Sequence, residues 1–312
     1  VLTACGGGSS TSTSTSSSSS DSGAPKGTIT AGSAYETTDY GPITTSALGI
    51  GANWQVLEGL YRFDMSDYSV SPALAAGDPV KVSDTKYEVT LRDGAKFSDG
   101  TDVKAADVVS SYKRTTDEKS IYRQFFTFVD SVEAKDDKTV TINLKYPFAA
   151  LKERFVNVRV VPSSMSADEL KSKPIGSGPY KFDNISATEV TAVPNEHYNG
   201  KIPAKAATLK WSVLKDDSAR LAAALGNSID IMEAVPADAA DKLKAASWTV
   251  DSKPGYGNPF MMFNTQKAPF DKPEVRRAFL KAVDKQKLVS SALRGQAVEA
   301  KSFLPEANPA YK

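Results

Sequence analysis

Tyr87-Glu88-Val89-Thr90-Leu91-Arg92-Asp93-Gly94-Ala95-Lys96-Phe97-Ser98-Asp99-Gly100 alternates apolar Tyr87, Val89 and Leu91 with charged or polar neighbours, then meets two Asp-Gly pairs. Alternation with period two places every second side chain on one face of a strand, and Asp-Gly tolerates the backbone of a tight turn. Pro79 to Phe97 therefore reads as strands joined by tight turns. Just downstream the period changes, because Ala105, Val108, Val109 and Tyr112 recur at helical spacing within Lys104 to Arg114. Phe128 to Ala134 and Val140 to Leu144 then flank the polar turn Lys135 to Thr139 as a second hairpin. The result is a compact α+β block that ends near Pro174.

Outside this block, Gly27 to Ala31 reads as a short first strand, followed by a small, polar loop from Gly32 to Pro42 that carries Tyr35 and Tyr40. Ile50, Trp54, Leu57 and Tyr61 recur at helical spacing and predict a helix over Ala47 to Leu60 with those residues facing the core. Further strands are expected at Glu189 to Val193, Thr208 to Leu214, Ile229 to Met232 and Phe260 to Asn264. Helices are expected at Ser218 to Leu225, at Ala237 to Ala246 and, opened by proline, at Pro273 to Val283. No internal repeat is visible.

The 312 residues exceed one average domain, so length favours two. With 40% hydrophobic and 24% charged residues the body needs neither disulfides nor metal staples to fold. Lys plus Arg number 38 against 37 Asp plus Glu, intermixed along the chain, which argues against a nucleic-acid partner because phosphate neutralisation needs a concentrated basic face. No stretch of apolar residues is long enough to span a bilayer.

The single cysteine, Cys5, rules out internal disulfides and Cys-rich metal sites. Val1-Leu2-Thr3-Ala4-Cys5 looks like the end of a secretory signal peptide, and Leu-Thr-Ala-Cys resembles a bacterial lipobox, in which a lipid-modified cysteine becomes the first residue after cleavage. The Gly, Ser and Thr tract that follows cannot bury enough apolar area to offset its conformational entropy. It reads as a disordered tether over 6–26, holding the body on the order of 25 Å from an anchor. A start at Val1, without Met or a basic leader segment, leads us to expect a longer precursor.

Several of these stretches together resemble the solute-binding proteins of family 5, the dipeptide and oligopeptide receptors of ABC importers. They are Leu57-Glu58-Gly59-Leu60-Tyr61, the quoted Tyr87 to Gly100, Ala105-Ala106-Asp107-Val108-Val109, Pro174-Ile175-Gly176-Ser177-Gly178-Pro179-Tyr180, Phe263-Asn264-Thr265 and Val275-Arg276-Arg277-Ala278-Phe279. Two departures are Lys104, where the family often has a Ser or Thr helix cap, and Ser177, where it often has Thr.

The resemblance implies a mixed α/β (α+β) chain with a two-lobe, periplasmic-binding-protein-like fold of the cluster C type. Lobe I would comprise 27–55 and 176–258, the extra domain 56–175, and the start of a largely missing lobe II 259–312. It further implies ligand contacts at Ser33, Ala34, Tyr35 and Glu36 after the first strand, at Asn53 and Trp54, and at Tyr256, Gly257 and Asn258 before the second lobe. The implied ligand is a small molecule, a peptide above all, with sugars, opines and metal chelates as alternatives. The implied partners are membrane permease subunits, with membrane attachment through the lipid anchor only, at a bacterial cell surface or in the periplasm, and a monomeric state is expected.

A lipid-anchored hydrolase or a surface scaffold could share the anchor and tether. A Ser-His-Asp hydrolase needs a histidine base, and the one histidine, His197, lies in the polar turn Asn195 to Gly200. Ser177 lies between glycines, but the Gly-x-Ser-x-Gly elbow is absent, because Pro179 follows Gly178 where the motif needs its second Gly. One His and one Cys leave no metal cluster, and no cofactor is expected. No catalytic residue is assigned.

Overall fold

The computed structural model describes residues 23–64, 67, 69–251, 255, 257–306 and 311. In chain order its main elements are β1 (Thr28–Ser33), α1 (Ala47–Val56), β2 (Tyr61–Phe63), β3 (Val70–Pro72), β4 (Val80–Ser83), β5 (Lys86–Thr90), α2 (Ala105–Thr115), β6 (Val129–Ala134) and β7 (Thr139–Leu144). There follow α3 (Leu151–Phe155), α4 (Ala167–Ser172), β8 (Tyr180–Ile185), β9 (Glu189–Pro194), β10 (Thr208–Val213), α5 (Asp217–Leu225), β11 (Ile231–Met232), α6 (Ala240–Ala245) and α7 (Pro273–Ala282).

Two sheets organise the chain. The first has the order β11-β1-β10-β9-β8. In it β1 runs parallel to β10 on one side and to β11 on the other, whereas β9 pairs antiparallel with both β10 and β8. Its core gathers Leu48, Ala52 and Val56 of α1 against Tyr180, Phe182, Val190 and Ala192, with Tyr40 set edge-on to Phe182 at 5.7 Å. The second sheet, β4-β5-β7-β6, is wholly antiparallel. Val89, Val140 and Ile142 pack there beneath Ala105 and Val108 of α2 and an aromatic group in which Phe126 meets Phe155 edge-on at 5.6 Å. A smaller core joins Ala224, Ile229, Met232 and Leu243 around α5, β11 and α6.

Two local expectations are corrected. Helix α1 stops at Val56 instead of Leu60, because the next residues run extended and exchange backbone bonds with distant segments. Glu58 O accepts from Val160 N–H (2.8 Å) and Val56 O from Gly178 N–H (2.8 Å). The core face of α1 is Leu48, Ala52 and Val56, while Ile50 and Trp54 are only half-buried. Phe260 to Asn264 is no strand. It has no pairing partner among the described residues, and Phe260, Met261 and Met262 are exposed. Lys104 offers α2 no side-chain acceptor, but Asp107 supports the helix start by accepting the Lys104 N–H at 3.0 Å, while its other oxygen takes the Ser163 N–H at 2.8 Å.

Candidate ligand-binding site

Because β1, β10 and β11 are parallel, their carboxyl ends come to one edge of the sheet, the place where open α/β sheets hold ligands. Ser33 ends β1. Its buried hydroxyl donates to Glu233 Oε2 at 2.7 Å and accepts the Tyr35 N–H at 3.3 Å. Ala34 is half-buried beside it, Tyr35 is 47% exposed, and Glu36 pairs with Lys215 at 2.9 Å.

Arg220 of α5, fully buried, holds the two neighbouring loops in place. Its guanidinium donates to Leu214 O (2.7 Å) and Lys215 O (2.9 Å) after β10, and to Glu233 O (3.2 Å) and Ala234 O (3.1 Å) after β11, and it also pairs with Asp217. The edge is thus a fixed backbone frame that presents an exposed tyrosine and an ion pair.

A second feature lies where the extended segment after α1 meets residues 156–161 and 176–179. Glu58 is buried and binds Arg92 through both oxygens, at 3.2 and 2.8 Å, while the Ser177 hydroxyl donates to it at 2.9 Å. Burial pushes the Glu58 carboxyl above the usual range, and Arg92 and Ser177 oppose that by favouring the charged form. Beside it Arg159 lies 4.4 Å over the ring of Trp54, the spacing of a cation held on an indole face. Burial draws the Arg159 guanidinium down to about 10, so it stays charged at neutral pH. Trp54, Glu58, Arg62, Arg159 and Tyr198 line a hollow of about 180 Å³.

The expected contact residues fall in separate places. Ser33, Ala34, Tyr35 and Glu36 are together at the strand ends. Trp54 is in the wall of the hollow. Asn53, its neighbour, turns inward and is 2% exposed, its amide donating to Gly41 O at 2.9 Å and Tyr40 O at 3.4 Å, which ties the loop before α1 to the helix. Gly257 and Asn258 line a different, more exposed hollow of about 370 Å³ with residues 295–301, and the Asn258 amide donates to Ser302 O (3.1 Å) and Phe303 O (3.2 Å). Cys5 and Tyr256 lie outside the described residues.

Ser177 is fully buried on Glu58 and His197 is seated against Gly100, so neither meets the other as a nucleophile and base. Among the described residues no group of three or more His, Cys, Asp or Glu could hold a metal ion, and no helix is long and apolar enough to cross a membrane.

The sequence reading passed over Glu58, Arg92, Arg159 and Arg220. The signal for Arg159 was a lone cation inside the apolar run Phe155-Val156-Asn157-Val158-Arg159-Val160-Val161. A buried charge survives in such a run only with partners, so it marks a place to look.

A family model described as "Bacterial extracellular solute-binding proteins, family 5 Middle" matches residues 69–312. The chain belongs to this family. Among its family 5 relatives, the glutathione-binding protein GsiB of Shigella boydii is 27% identical over 292 residues, which cover 89% of this chain and 56% of GsiB. The chain therefore spans about half the length of the curated relatives it matches. A periplasmic binding protein, DppA of Helicobacter pylori, solved with the peptide STSA, superposes with a TM-score of 0.81 at 21% identity, covering 92% of this chain and 62% of DppA. AgaA of A. tumefaciens R10, solved with agropinic acid, is 29% identical with a TM-score of 0.73, over 86% of this chain and 56% of AgaA. The periplasmic-binding-protein fold expected from the family resemblance is thus the fold observed, and these relatives are named as binding proteins.

Proposed function

We propose that this family 5 chain is part of an extracytoplasmic receptor that captures di- or oligopeptides and delivers them to the membrane permease subunits of an ABC importer. The five-stranded sheet and its helices would act as lobe I (27–55 and 176–258), the block around the antiparallel sheet as the additional domain (56–175), and 259–312 as the entry to lobe II. Ligand would lie against the carboxyl ends of β1, β10 and β11 and be enclosed by lobe movement, which a ligand favours only by touching both lobes in the closed state. Attachment through a lipid on Cys5, with 6–26 as tether, and action as a monomer complete the reading.

The observation that carries it is the family 5 match combined with the frame of Ser33, Glu233 and Arg220, which fixes main-chain groups at a sheet edge where an extended peptide can bind by backbone hydrogen bonds. Likeness to AgaA favours a second reading within the same class, an opine-type solute.

The deciding experiment is thermal melting of the purified protein with di- to octapeptides, glutathione, agropinic acid, oligosaccharides and metal chelates. A ligand at 100 times its Kd adds about 2.7 kcal/mol to the folded state. Stabilisation by peptides without their consumption supports the receptor. Stabilisation by agropinic acid alone transfers the assignment to opines, and turnover of a panel member overturns it in favour of a hydrolase.

A further inference from the structure

The hollow over Trp54 combines features that a packing interface does not require. Among the described residues Arg159, 6% exposed, has one hydrogen bond, to Leu57 O at 3.3 Å, and no ion pair. A guanidinium carries five N–H donors in a rigid fork, so most of its capacity is unmet. The nearby carboxylate of Glu58 is not available to it, since both Glu58 oxygens are taken by Arg92 and one also by Ser177. The Glu58 charge still favours the Arg159 cation from nearby, but Arg92 offsets it and occupies its hydrogen-bonding positions. Arg62, a second cation lining the hollow, directs its Nε to Ser71 Oγ at 3.2 Å. What faces the space is positive charge on a flat aromatic support, with Tyr198 and Ile202 completing the wall.

Size and chemistry narrow the occupant. About 180 Å³ is room for roughly six waters at ~30 Å³ each, below the roughly 300 Å³ of whole-ligand pockets, so the hollow suits one end group of a larger molecule. The two parallel N–H bonds of a guanidinium fork match the two oxygens of a carboxylate, and low local dielectric strengthens the pair. The indole face stacks the guanidinium and keeps the fork from turning away. We propose that this hollow receives a carboxylate of the captured solute, held by Arg159 on its Trp54 platform. The proposal rests on the receptor reading and deepens it, since it makes the receptor selective for acids over the corresponding amides.

Two arms keep the two ideas apart. In the first, sodium acetate and sodium phosphate are titrated at constant ionic strength against sodium chloride, reading the indole N–H resonance of Trp54, assigned by its loss in Trp54→Phe. A saturable shift with acetate that chloride does not give, and that disappears in Arg159→Gln, is expected. No acetate shift, or a shift by phosphate at lower concentration, overturns the carboxylate assignment. In the second arm, trialanine is compared with trialanine amide by calorimetry. The acid is expected to bind the native protein tenfold to a hundredfold more tightly than the amide, the range for hydrogen bonds to a charged group. Arg159→Gln should reduce the acid-to-amide ratio toward one, and Arg159→Lys should restore part of it. Equal binding of acid and amide to the native protein overturns the recess and leaves the receptor standing. An acetate shift with no binding of either peptide overturns the peptide reading and leaves the recess. The acid–amide comparison uses native protein, so it decides even if Arg159→Gln fails to fold.

Discussion

A Cβ built on Gly176 would stand 2.1 Å from Val56 O, and one on Gly178 would stand 2.6 Å from the same atom. No side chain can yield, because the obstacle is backbone. These two glycines let residues 176–178 lie directly on the end of α1 and bring Ser177 to Glu58. Gly176→Ala should therefore cost about 3 kcal/mol or more, read as a lowered urea midpoint, and should loosen Glu58 and Arg92 together. Arg220→Ala leaves four carbonyls without their donor, two of them in each loop at the sheet edge. A loss of about 3 kcal/mol is expected, with faster amide exchange at residues 214–215 and 233–234 as the local signature. Neither role was legible in the sequence. Gly176-Ser177-Gly178 could be recognised as a string, but Glu58, whose carboxylate the Ser177 hydroxyl binds, is 119 positions away along the chain.

Element boundaries followed local chemistry where the partner was also local. Hairpin β6–β7 and helix α2 fall within two residues of their expected limits, because period and turn signals suffice when the pairing strand is adjacent. Helix α4 has a reciprocal cap: Ser166 Oγ accepts the Glu169 N–H at 3.3 Å and Glu169 Oε2 accepts the Ser166 N–H at 2.8 Å. The bonds from Ser166 hold the Glu169 carboxyl below its ordinary 4.5. Its folded-state value is thus the lower one, so its contribution is present above pH 4.5 and is lost as pH falls through the folded value. Amide protection at Leu170 should decline over that window in the native protein and should not show this decline in Glu169→Gln. Where the partner was remote, periodicity misled. The apolar spacing of Ile50, Trp54, Leu57 and Tyr61 continued a helix that the backbone of Val160 and Gly178 ends at Val56.

Across the whole molecule, apolar burial is uneven. The two larger cores are filled by residues between Tyr40 and Ala192, whereas α7 has no buried residue and Phe260, Met262 and Phe303 are 66%, 84% and 79% exposed. Phe260 and Phe303 lie 6.3 Å apart in one exposed apolar region. The 312-residue chain is expected to bind the dye ANS there. Phe260→Asp with Met262→Asp should lower that fluorescence while moving stability by less than about 1 kcal/mol, since surface substitutions seldom change it by more than about 0.5 each. By itself the sequence determined the antiparallel block, most helices and the family, because alternation, turn residues and motif order are written in neighbouring positions. Only the tertiary structure decided where α1 ends, that Asn53 faces inward while its neighbour Trp54 faces a hollow, and that Arg159 and Arg220 stand where they do. Those outcomes depend on hydrogen-bond partners and burial supplied by segments far away in the chain, and local periodicity carries no record of them.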